Sequence, residues 1–109
     1  MHHVSVKAEA DETLRVALHG EIDATHADQI LKEIRSAIDR FLPRSVQMDL
    51  SDVTFIDTSG LGTLVYAMKA AHHAGAGYEL TDASELVRSR LRRTGLLEAL
   101  GLADEDGPP

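Results

Sequence analysis

Val53-Thr54-Phe55-Ile56-Asp57-Thr58-Ser59-Gly60-Leu61-Gly62 is the stretch on which the reading of the fold turns. An apolar run breaks off into hydroxyl residues and glycines. Beyond it Leu61, Leu64, Val65, Met68 and His72 recur at i, i+3, i+4, i+7 and i+11, the spacing of one helix face. The spacing predicts a helix whose N-terminus carries Asp57, Thr58 and Ser59. Backbone N–H groups there lack partners and the macrodipole favours negative charge, so a phosphate on Ser59 can be received without unfolding anything. Its added charge, about −1.5 to −2, would be felt mainly by a partner. Asp, Thr and Ser are also ordinary capping residues, and Gly60 and Gly62 ordinary loop-to-helix residues. On local chemistry alone capping is the stronger reading, and the rest of the chain shifts the balance.

Upstream, Val4 and Val6, then Leu14, Val16 and Leu18, alternate with period two on either side of a polar stretch and predict a β-hairpin. After Gly20-Glu21-Ile22-Asp23, residues Ala27, Ile30, Leu31, Ile34, Ile38 and Phe41 follow the helical period. Asp23 or Thr25 is the expected cap, Asp28 strengthens the first turn, and the helix stops before Pro43. Val46, Met48 and Leu50 mark a third strand leading through Ser51-Asp52 into the opening segment.

Downstream, Ala74-Gly75-Ala76-Gly77 ends the second helix, and Tyr78 and Leu80 mark a fourth strand. Asp82 or Ser84 caps a third helix running to about Arg93. The order ββαβαβα predicts an α/β domain with a mixed sheet, and the alternation within strands predicts that helices cover one face more fully than the other. Leu96, Leu97, Leu100 and Leu102 are expected to close the core as a short helix or turn. Residues 1–103 then form one domain, and the acidic tail 104–109 has nothing to bury and is expected to be disordered.

The chain has 109 residues, 43% of them hydrophobic, enough for one core. A net charge of −7 opposes binding to nucleic-acid phosphates, and two Phe, two Tyr and no Trp offer no base-stacking platform. With no cysteine, a disulfide, a thiolate metal site and a cysteine nucleophile are all excluded. No apolar run is long enough to span a bilayer, and Met1-His2-His3 lacks the features of a signal peptide, so a cytoplasmic location without membrane contact is expected.

Three motifs in this order resemble the STAS family, specifically its small bacterial anti-sigma factor antagonists. Gly20-Glu21-Ile22-Asp23 is similar to that family's Gly-Glu-hydrophobic-Asp. Asp49-Leu50-Ser51, followed by Phe55-Ile56-Asp57-Thr58-Ser59-Gly60-Leu61-Gly62, is similar to its signature, and Thr94-Gly95-Leu96 to its late Ser/Thr-Gly-Leu turn. The resemblance implies a binding module in a partner-switching cascade. The unphosphorylated form would hold an anti-sigma factor that is also a serine kinase and so free a sigma factor; phosphorylation would end that grip and a serine phosphatase restore it. By motif position the phosphoacceptor would be Ser59, with Asp57, Thr58 and Asp23 on the switch surface, and Thr58 as a minor acceptor. A phosphate there would meet an acidic or close-packed partner surface with like-charge repulsion and a desolvation cost. Nucleotide, metal and catalytic base would belong to the kinase, so this chain is expected to carry no cofactor and not to be an enzyme. Many relatives close with a further strand; here only Leu100-Gly101-Leu102 precedes the tail, so four strands are expected, with a fifth only there.

Rival readings are weaker on context. Asp57-Thr58-Ser59-Gly60 resembles the Asp-Thr-Gly of aspartic proteases, but the extra serine and the long helix that follows break the match. Gly60-Leu61-Gly62 is no dinucleotide fingerprint, because Val65 stands in place of the third glycine. The main alternative is a constitutive STAS scaffold subunit of a transporter or multiprotein signalling complex, with no phosphoswitch. His2-His3 and His72-His73 read as surface histidines, since neighbours in sequence point in different directions. Arg88, Arg90, Arg92 and Arg93 read as a solvated helix face, and Met48 and Met68 as core.

Overall fold

The computed structural model describes residues 3–101. Strand β1 (Val4–Ala8) and β2 (Thr13–Ile22) form the expected hairpin, followed by α1 (Ala27–Phe41), β3 (Ser45–Ile56), α2 (Thr58–His73), β4 (Gly77–Thr81) and α3 (Glu85–Arg93). The four strands lie side by side in chain order; β1 is antiparallel to β2, while β2, β3 and β4 are parallel and joined by helical crossovers. Among the described residues there is no fifth strand, and no helix is long and apolar enough to cross a membrane. The tail 104–109 and Leu102 lie outside the described residues.

Register explains the two faces of the sheet. The rows Leu14–Val46–Tyr78 and Val16–Met48–Leu80 point inward, and Leu14, Val16, Val46 and Met48 are wholly buried. Alternating with them, Lys7–Arg15–Gln47–Glu79 and Ser5–Ala17–Asp49–Thr81 form the opposite face, which carries polar pairs such as Gln47 Nε2 to Glu79 Oε1 at 2.7 Å. Ile30, Ile34 and Ile38 of α1 complete the inner layer, each worth about 1.5–3 kcal/mol of burial. The hydroxyl of Tyr78 donates to the Leu64 carbonyl at 2.8 Å and fastens β4 to α2; burial pushes its pKa up.

Several expectations need correction. Val6 is 44% exposed, lying with Val4 in an open groove between the edge strand and the Ala37–Phe41 end of α1. Strand β3 continues through Ser51 and Asp52 to Ile56, which the sequence pattern hides. Register shifts opposite β2, between Ala17 and His19 and between Gly20 and Glu21, each insert an extra residue into β3 and break period two. The buried face of α2 is Leu61, Leu64, Ala67 and Ala71, with Val65 and Met68 only partly buried and His72 exposed. Small alanines let α2 lie close to its neighbours, so the larger side chains flank the contact.

Neither expected residue is the immediate cap of α1: the helix starts from His26, which makes no side-chain cap bond. Ser84 caps α3 through its hydroxyl, which accepts from the Val87 amide at 3.4 Å, whereas Asp82 occupies the preceding turn at φ 57°. Arg88 is not on a solvated face; it is 6% exposed, with Nε donating to the Ala83 carbonyl at 3.3 Å. Leu97 and Leu100 close the core as a turn.

Candidate functional site

Ile22 and Ile56 face each other as the last paired residues of β2 and β3, so Asp23 and Asp57 leave the sheet side by side at the carboxyl ends of parallel strands. That is where open α/β sheets place ligand and partner sites. Asp57 caps α2 from extended backbone: Oδ1 accepts from the Gly60 amide at 2.9 Å. Its other oxygen, Oδ2, accepts from the Ala24 amide at 3.3 Å and so ties the β2–α1 loop to the start of α2. The Asp57 amide donates to the Ile22 carbonyl at 3.3 Å, closing the same junction from the backbone. Both carboxylate oxygens of Asp57 are thus taken by backbone amides.

Gly60 is where this junction needs glycine. A Cβ there would stand 2.0 Å from the Ile22 carbonyl oxygen and 2.6 Å from Ile56 Cγ1, so any side chain would force α2 away from the sheet. Gly62, two residues on, has open space around the corresponding position. The two glycines of the motif therefore differ: the first fits a close approach, and the second is sterically replaceable.

Thr58 and Ser59 are the first two residues of α2 and both are exposed. The Ser59 carbonyl accepts from Thr63 Oγ1 at 3.1 Å, which holds its backbone in the helix. The Gly60 amide is taken by Asp57, and the amides of Thr58 and Ser59 belong to the first turn, which has no intrahelical acceptors. The hydroxyl thus stands at a helix N-terminus on a frame fixed by Asp57 and Gly60.

Asp23 is held differently. Its Oδ1 accepts from the His26 backbone at 3.3 Å and pairs with His26 Nδ1 at 2.8 Å, while the His26 ring stacks on His3 with centroids 4.1 Å apart. His3 is therefore no lone surface histidine, as His72 and His73 are. His26, the Ala24 amide and the steric role of Gly60 are the parts of this site that motif reading missed. The Asp23–His26 spacing of three residues was the only sequence sign of the first. Among the described residues no three His, Asp or Glu side chains converge to hold a metal ion.

Comparison with known proteins fits this geometry. The family model for the STAS domain matches residues 5–105. The chain is 27% identical over 93 residues to the anti-sigma F factor antagonist of Paenibacillus polymyxa, covering 85% of this chain and 80% of that one. Among solved structures it is similar to the anti-sigma factor antagonist SpoIIAA in its unphosphorylated form (TM-score 0.76, 24% identity, 94% and 90% of the two chains). It is similar also to the phosphorylated form of that Bacillus cell fate determinant (TM-score 0.68, 23% identity, 94% and 93%). A sulfate transporter family protein from Wolinella succinogenes shares the fold as well (TM-score 0.72, 24% identity, 87% and 76%).

Proposed function

This chain belongs to the STAS domain family, and we propose that within it the protein is an anti-sigma factor antagonist switched at Ser59. In this reading the unphosphorylated protein binds an anti-sigma factor with serine kinase activity and frees a sigma factor. Phosphate on Ser59 ends that binding, and a serine phosphatase restores it. The observation that carries the reading is the exposed Ser59 at the start of α2, on a backbone pinned by the Asp57 cap and by Gly60 against Ile22. A kinase needs a hydroxyl it can reach, and a switch needs a modified group that stays where the partner docks; this junction offers both. Asp57 acts as the structural cap, Thr58 and Asp23 flank the docking surface, and proton transfer is left to the kinase.

The likeness of the relatives supports the antagonist role, since the Paenibacillus protein carries that name and SpoIIAA has been solved in phosphorylated and unphosphorylated forms. The fold shared with a sulfate transporter family protein favours a second reading, a permanent scaffold subunit that ignores the state of Ser59. Phosphosite mapping separates the two. Protein isolated from its native cells across growth conditions should carry phosphate on Ser59 in a fraction that changes with condition. A Ser59 that is never modified would overturn the switch.

A further inference from the structure

On the open face of the sheet, far from Ser59 in sequence, three side chains form a line. Ser5 Oγ lies 3.0 Å from His19 Nε2, and His19 Nδ1 lies 3.1 Å from Asp52 Oδ2. Each comes from a different strand. Ser5 pairs with Ala17 and so is diagonal to His19 across the β1–β2 ladder. Asp52 is brought opposite His19 by the register shift between Ala17 and His19; without the extra residue in β3, Ser51 would stand there instead.

An ionised carboxylate can only accept, so His19 Nδ1–H donates to Asp52 and Nε2 is left to accept from the Ser5 hydroxyl. This is the order of roles in which a base, itself oriented by a carboxylate, activates a nucleophile. We propose that Ser5 is an activated nucleophile that accepts acyl groups from small activated esters and thioesters.

In the acylation step Ser5 Oγ forms a bond to the acyl carbon, and its proton passes to His19 Nε2. The bond from that carbon to the leaving oxygen or sulfur breaks, and the leaving group takes the proton. In deacylation a water oxygen bonds to the acyl carbon as its proton passes to His19 Nε2, the Ser5 Oγ–acyl bond breaks, and Oγ takes the proton back, releasing the acid. Ser5 is exposed on an edge strand, and the side chains of His19 and Asp52 are 33% and 67% accessible, so an acyl donor can approach from solvent. The same openness sets the substrate class. An oxyanion developing at so exposed a position would be met by solvent, so acyl donors with good leaving groups are the substrates that fit. His19 is the base, and Asp52 is a positioning residue.

The test is incubation of the full chain with p-nitrophenyl acetate, acid quenching and peptide mapping. Acetyl is expected on Ser5 in the parent protein, and none at that position in Ser5→Ala. His19→Gln should slow the labelling about 100-fold, the lower end of a general base's contribution. Asp52→Asn should give an intermediate loss that Asp52→Glu restores. A chain without cysteine permits a second readout. Ser5→Cys should react with iodoacetamide faster than the same variant also carrying His19→Gln, because the imidazole raises the thiolate fraction. Acetyl confined to lysines or the α-amine, or alkylation indifferent to His19, would overturn the proposal.

Discussion

Helices α1 and α2 both begin just past the end of a parallel strand, and both have an aspartate at that point, yet the two starts are built differently. At α2, Asp57 caps the helix directly, reaches across to Ala24, and is backed by a glycine whose missing side chain admits the Ile22 carbonyl. At α1, the helix starts from His26 with no side-chain cap, and Asp23 holds the preceding turn through a part-exposed His26 pair. The first start is locked by backbone-to-backbone fit, and the second by side chains that can rearrange. Neighbouring loops can thus meet at one junction while only one fixes the position of an exposed hydroxyl.

The contrast can be broken most severely at Gly60. Gly60→Ala should destabilise the protein by about 3 kcal/mol, the upper range for overpacking, because the contact is with backbone that cannot turn aside. Urea unfolding followed by circular dichroism would measure it, and a loss under about 1 kcal/mol would show that the junction yields. Asp57→Ala comes next, costing about 1–2 kcal/mol through the lost cap and the freed Ala24 amide. Faster hydrogen exchange at the Gly60 and Ala24 amides should accompany it.

Gly62→Ala sharpens the comparison with the opposite sign. With open space at that position and helical surroundings, it should stabilise by about 0.5–1 kcal/mol. A thermal midpoint that falls instead would mean that the glycine serves an unseen contact. Asp23→Ala should have the smallest effect, about 0.5 kcal/mol, since part-exposed ion pairs contribute little. A loss above about 2 kcal/mol would place α1 on the same footing as α2.

Most of this architecture was legible in the chain because it rests on period and punctuation. Val16, Leu18, Met48 and Leu50 alternate as their strands do, and Gly75 and Gly95 stand where helices end in positive φ. What was illegible depends on pairs distant in sequence. Bulges in β3 hid its continuation from Ser51 to Ile56 because an inserted residue reverses the face of everything after it. Arg88 shares the helical face of Val87 and Leu91, and its charge, not its position, made it read as solvated. In the site, Ser59 and Asp57 were readable as a capped helix start, but the tie from Asp57 to Ala24 needed the register of Ile22 with Ile56. The line Ser5–His19–Asp52 has no local signature, since three strands must align before it exists.

In the proposed switch, a negative charge at the fixed end of α2 decides whether the partner binds. The most direct measurement presents the unmodified protein, Ser59→Ala and Ser59→Asp as parallel baits to extract from the native cells and identifies bound proteins by mass spectrometry. The first two should recover a serine kinase and the aspartate form should not. Equal recovery of the same complex by all three would contradict the switch and leave a scaffold.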